Sequence, residues 1–158
     1  MSEGIGASVQ RKEDKKFLTG KGRYTDDINR PGQTHAYFVR SDVAHANIKS
    51  IDTKAASAAS GVVAVYTGED VAADGIGGPI CGWVVPCRDG SPTKEPPHPI
   101  LANGKVRYVG DHVAVVIAET LAQAKSAAEL VEVEFEELPA VVDLESASSS
   151  AEIHKEVP

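Results

Sequence analysis

Positive charge, aromatic rings, cysteine and long apolar runs are all in short supply in this sequence. Phe, Tyr and Trp make up 5% of it, which excludes an aromatic platform for stacking bases. Lys and Arg number 16 against 23 Asp and Glu, so the chain carries −7 and offers no broad basic face to a phosphate backbone. Two cysteines, Cys81 and Cys87, are too few for a disulfide scaffold. No stretch approaches the roughly 20 consecutive apolar residues of a membrane-spanning helix. The opening MSEGIGASVQRKEDKK is polar and lacks the apolar centre of a signal peptide. Together these point to a reduced, cytoplasmic setting.

What is present suits an ordinary globular domain. The chain has 158 residues, 42% hydrophobic and 25% charged, enough for one domain or two small ones. At this size about 70% of the unfolded surface can be buried, so a core forms without staples. Residues 1–33 read as an extended polar segment with Gly20, Gly22, Pro31 and Gly32 as turns. Thr34 to Arg40 and Ala46 to Asp52 read as strands. Thr53 to Ser60 reads as a short helix capped by Asp52 or Thr53 and stopped by Gly61. Val62 to Thr67 is expected as a buried strand, and Thr67 to Asp70 carries a capping-box pattern before one or two helical turns. Residues 73–104 hold so many glycines and prolines that they are expected as a long loop, the kind that is functional or orders against a partner. Val113 to Glu119 is a continuous apolar run, expected as a strand covered on both faces. A capping box at Thr120 to Gln123 starts a helix to about Leu130, with Leu121, Ala124, Ala128 and Val131 along one stripe. Val131 to Leu138 alternates apolar and acidic residues, as a half-buried strand does. Ser146 to Ala151 has linker composition, and the chain reads as heading toward a further domain.

No constellation of catalytic residues stands out. Cys81 and Cys87 are spaced too widely for an ordinary metal pair, and the nearest histidines are His98 and His112. Gly75-Ile76-Gly77-Gly78 matches neither a dinucleotide fingerprint nor a phosphate loop, so it reads as a turn. Glu129, Glu132, Glu134, Glu136 and Glu137 form a solvated face, not a cation site. Ser41 and Ser91 lack the nucleophile-elbow context of a hydrolase. His45, in the turn after a strand, reads as a hydrogen-bonded structural histidine. Arg11 to Asp27 mixes charge, glycine and two aromatics, as does a segment laid along another surface.

Several strings, in order, resemble a known family. They are Arg11-x-Glu13-Asp14 with Phe17-Leu18-Thr19-Gly20-x-Gly22-x-Tyr24-x-Asp26-Asp27, then Val39-Arg40-Ser41-x-x-Ala44-His45-Ala46. Val65-Tyr66-Thr67-Gly68-Glu69-Asp70, Lys105 to Asp111, Val113 to Thr120 and Glu137 to Asp143 follow. This order resembles the start of the large, molybdenum-binding subunit of the xanthine oxidase and aldehyde oxidase family. Pro79 to Trp83 and Lys94 to Pro99 look most like the aerobic carbon monoxide dehydrogenase-like (form II) branch.

The resemblance implies an α+β fold, the α/β hammerhead, with a mixed β-sheet, two main helices and a long Pro/Gly-rich loop. It implies an extended segment at 1–33, the hammerhead at 34–145, and a linker at 146–158 toward absent molybdopterin-binding domains. The parent enzyme is implied to oxidise a small substrate with water as the oxygen source. Its molybdopterin cofactor is implied to lie in later domains of the same subunit, its 2Fe-2S clusters on a small subunit and its FAD on a medium subunit. No cofactor ligand carries over onto this chain, which is expected to be structural and non-catalytic by itself. Arg11, Asp14, Tyr24, Asp27, Trp83 and His98 are the interface candidates. The alternative is a free-standing module that binds a small ligand or a protein. A small enzyme in its own right has only the loop 73–104 to recommend it.

Overall fold

The computed structural model describes residues 4–6, 11–80 and 82–155. The chain divides into two compact units, residues 1–33 and 34–158.

The first unit is more ordered locally than its polar composition suggests. It holds a short helix, α1 (Asp14–Leu18), and a 3-10 turn at Thr25–Asp27. No residue of either element is buried, so the unit has local structure without a core.

The second unit contains six strands and three α-helices among its described residues, with a 3-10 turn at Ala147–Ser149. They run β1 (His35–Arg40), β2 (Ala46–Asp52), α2 (Lys54–Ser57), β3 (Val62–Thr67), α3 (Gly68–Ala73), β4 (Lys105–Val106), β5 (His112–Ala118), α4 (Leu121–Ala128) and β6 (Glu132–Glu137). The α+β class is as expected, but the mixed sheet is not what forms. The strands make two three-stranded sheets, ordered β1-β5-β3 and β4-β2-β6, and every pairing is antiparallel. The physical reason lies in β5-α4-β6. The helix carries the chain from one sheet to the other instead of returning it beside the strand it left. The two longest of these helices, α3 and α4, have 6 and 8 residues.

β5 feeds both cores. Val113 packs with Ala46, Ala102 and Val106 against Ile48, Ile51, Val133 and Phe135 of the β2–β6 layer. Val116 packs with Ala127 and Ala128 of α4 against Val39, Val62 and Val65. Three buried alanines, Ala124, Ala127 and Ala128, bring α4 close to the sheet. Leu121, expected on that stripe, is instead 44% exposed, because the buried face runs through Ala127. The Thr120 hydroxyl accepts the Gln123 amide at 3.2 Å, the expected start of α4.

Bulges account for the other departures from simple alternation. An irregularity between Ile48 and Ser50 leaves Lys49 outside and lets both Ile48 and Ile51 face the core. A second one between Val62 and Ala64 puts Val63 in solvent at 60% exposure, so β3 is only half-buried. α2 is shorter than expected, and its cap is the Asp52 carboxylate, which accepts the Lys54 amide at 2.9 Å. The capping box before α3 forms: the Asp70 carboxylate accepts the Thr67 amide at 2.7 Å. The acidic face of β6 is exposed yet paired. Glu136 accepts Asn47 at 2.9 Å and meets Lys49 at 3.1 Å, and Glu134 accepts the Ser50 hydroxyl. As an edge strand, β6 is protected from stray pairing by these charges.

No helix or strand interrupts the described residues between Asp74 and Gly104. Among the described residues no helix is long and apolar enough to cross a membrane.

Candidate interaction surface

In the first unit, the sequence-derived candidates are set by short-range contacts. Arg11 Nε lies 3.4 Å from the Asp14 carboxylate, with Arg11 exposed and Asp14 half-buried. Tyr24 stacks on Phe17 with centroids 5.6 Å apart and planes 10° apart. The Asp27 carboxylate accepts the Tyr24 amide at 2.8 Å, which fixes the turn that presents the ring. Gly22 passes so close to Phe17 that a β-carbon there would overlap the ring.

Trp83 and His98 belong to the second unit, on the long loop. Its tip is a tight turn in which Ser91 O accepts the Cys87 amide at 2.8 Å and the Asp89 carboxylate accepts the Ser91 amide at 3.0 Å. The Ser91 hydroxyl, and then that amide bond, hold the Asp89 carboxyl below the usual range. The Thr93 hydroxyl donates to the Val85 carbonyl across the turn. Gly78 sits directly against the His98 carbonyl. A cleft of about 420 Å³ is lined by Pro79, Ile80, Thr93, Lys94, Glu95, Pro96 and His98. Ile80 and Trp83 are 91% and 80% exposed, an apolar display that a solvated loop does not need. Cys87 is an exposed free thiol, and Cys81 lies outside the described residues.

His98 leads into a polar cluster that the sequence did not single out. It stacks on Tyr108, centroids 6.3 Å apart. The Tyr108 hydroxyl bonds the Asp111 carboxylate, and burial followed by that negative charge pushes the phenol above its usual value. The Asp111 carboxylate also accepts the Arg107 amide at 3.1 Å. Arg40 donates to the Gly110 carbonyl at 3.1 Å, and Ser41 exchanges backbone bonds of 2.8 Å with Gly110 and Asp111. Gly110 allows this turn because its φ is 93°. His112 stacks on Phe38 with centroids 4.5 Å apart. Burial, and then the Arg40 guanidinium, hold the imidazole below its usual value, with Asp111 opposing.

A pH dependence follows. His112 is neutral in the fold and takes up a proton more readily when unfolded, so its stabilising contribution is complete above an unfolded value of about 6.5 and is lost as pH falls below it. The lowered carboxylates Asp70, Asp89, Glu136 and Asp143 cost stability only at pH below about 4. The melting temperature should therefore drop between neutral pH and pH of about 5, and His112→Gln should flatten that interval. A native profile that is flat there, measured by circular dichroism, would contradict this.

A further candidate surface is the face of the first sheet away from α4. Cross-strand register places Phe38, Val115 and Tyr66 in one row and Ala36, Ile117 and Ala64 in the next. α4 packs across the opposite face, where Lys125 lies 5.8 Å above the Tyr37 ring. On the open face Ala36 and Tyr66 are exposed and the other four are half-buried. β5, expected to be covered on both faces, has α4 over one of them, while the other is covered at Val113 by the β2–β6 layer and is half-buried farther along, at Val115 and Ile117. The signal for it was present in THAYFVR, where apolar residues occupy both alternating sets.

The two glycines pressed against other backbone, Gly68 and Gly78, meet the carbonyl oxygens of Ala102 and His98, which would repel a pterin phosphate. Among the described residues no three His, Cys, Asp or Glu side chains gather in a way that could hold a metal. His45, as expected, is structural: its Nδ1 lies 2.8 Å from the Pro139 carbonyl.

Comparison with known proteins identifies the family to which this fold belongs. Residues 19–139 match the family described as "Aldehyde oxidase and xanthine dehydrogenase, a/b hammerhead domain". The nicotine 6-hydroxylase large subunit of Paenarthrobacter nicotinovorans is 43% identical over 139 residues, which are 88% of this chain and 16% of that protein. The crystal structure of quinoline 2-oxidoreductase from Pseudomonas putida 86 superposes with a TM-score of 0.76 at 43% identity, covering 91% of this chain and 18% of that one. The Cu,Mo-CO dehydrogenase in its carbon monoxide reduced state gives a TM-score of 0.73 at 40% identity, covering 91% and 17%. The chain thus spans about a sixth of the length of the proteins it resembles.

Proposed function

Because the chain belongs to the a/b hammerhead domain family of aldehyde oxidase and xanthine dehydrogenase, we propose that it serves a molybdenum hydroxylase large subunit as a structural domain, by packing and not by holding the metal. The open face of the first sheet carries this reading. Phe38, Val115, Tyr66 and Ile117 form an apolar surface on the face away from α4, with Tyr66 exposed and the other three half-buried, and what remains exposed there gains from burial at roughly 25 cal/mol per Å².

Its partner on that face is the molybdopterin-binding part of the subunit. The iron–sulfur and FAD subunits are further partners, met through the exposed segment Arg11 to Asp27 and the loop around Trp83 and His98. The cofactor stays with the later domains, consistent with the carbonyl-filled glycines here. The setting is cytoplasmic, where the exposed Cys87 thiol stays reduced. Similar identity to proteins named for nicotine, quinoline and carbon monoxide supports a substrate choice made outside this domain.

Co-expression tests the proposal. A tagged copy of this chain should retain an untagged polypeptide carrying the molybdopterin-binding domains through purification. Failure to retain it, with both chains folded, would favour a free-standing binding module instead.

A further inference from the structure

Asn103 sits where the long loop enters the core. It is exposed, while its neighbours Leu101 and Ala102 are buried. The backbone is tied on both sides of it. The Ala102 amide donates to the His112 carbonyl at 2.6 Å, and the Gly104 carbonyl accepts the Ile48 amide at 3.0 Å. The Gly104 amide itself donates to no group among the described residues. Gly104 has no side chain to shield that nitrogen, and nothing lies within 4 Å of where a β-carbon would stand.

We propose that Asn103 is a site of spontaneous deamidation and isoaspartate formation. The Gly104 backbone nitrogen attacks Cγ of Asn103. The N–Cγ bond forms, the Cγ–Nδ2 bond breaks, and ammonia leaves with the proton given up by the amide. Water then opens the cyclic imide at one carbonyl or the other, leaving aspartate or isoaspartate. In isoaspartate the main chain runs through the side-chain carbon, which adds one backbone atom between the His112 and Ile48 ties. The added length has no room there, because the Ala102 carbonyl already presses on Gly68. The other asparagines are poor sites: Asn29 precedes Arg30, and Asn47 lies in β2, bonded to Glu136 and followed by Ile48.

The test is peptide mapping after warm incubation at mildly alkaline and mildly acidic pH. The tryptic peptide Glu95–Lys105 contains only this asparagine. It should gain about one dalton, faster in the alkaline arm, and split into two products, one of which accepts a methyl group from a protein isoaspartyl methyltransferase. The peptide bearing Asn47 and the corresponding peptide of Asn103→Gln should not change. The isoaspartate fraction should melt below the fresh protein. No mass gain at Glu95–Lys105 in the alkaline arm would overturn the site, and an unchanged melting temperature of the isoaspartate fraction would overturn the role of the two ties.

Discussion

Replacing Gly68 by alanine lowers the melting temperature by roughly 4–10 °C, corresponding to about 1–3 kcal/mol. Two effects oppose each other. Gly68 is the first residue of α3, where alanine is the better helix former by up to about 1 kcal/mol. Against that, the new β-carbon would overlap the Ala102 carbonyl, a backbone atom that cannot swing aside. The Ala102 amide is held by the His112 carbonyl at 2.6 Å, and Ala102 is 2% exposed within the core. Steric conflict therefore wins. Gly77→Ala is the control, since nothing lies within 4 Å of its added carbon. A circular dichroism melt compares the two. Gly68→Ala melting at or above the native temperature would show that Ala102 can yield.

Tyr66→Glu reduces recovery of the molybdopterin-binding partner by about tenfold or more, a cost of at least about 1.4 kcal/mol in affinity. Tyr66 is 43% exposed on edge strand β3, in line with Val115 and Phe38. Glutamate there leaves the folded chain nearly as stable as before, since exposed substitutions away from special features cost about 0.5 kcal/mol or less. On assembly, however, the carboxylate would be buried without a partner. Unchanged recovery, with an unchanged melting temperature, would mean that the partner uses another face.

Much of the second unit was legible because local signals and packing agree. The apolar run at Val113 to Ala118, the acidic alternation at Glu132 to Glu137 and the threonine caps before α3 and α4 each state one structure by a short-range rule. The strings at Arg11 to Asp27 and Lys105 to Asp111 carried the family. What escaped was set at longer range. Lys49 and Val63 are bulge residues, and a bulge is fixed by the partner strand, not by its own sequence. The same holds for the assignment of β5 and β6 to different sheets. The cluster of Arg40, His98, Tyr108, Asp111 and His112 draws on three separated segments, which no spacing rule connects. The half-buried face was concealed for the opposite reason: an apolar run such as β5 reads as evenly covered, although its second face is fully buried at Val113 and only half-buried at Val115 and Ile117.

The most direct measurement is the molybdenum content of the purified chain, taken by elemental analysis beside a dye-linked dehydrogenase assay, from cells competent to make the cofactor. The expected result is molybdenum far below one atom per chain and no dye reduction, while the co-purified partner carries the metal. About one molybdenum per chain in the isolated protein would contradict a structural role and place the cofactor site within these residues.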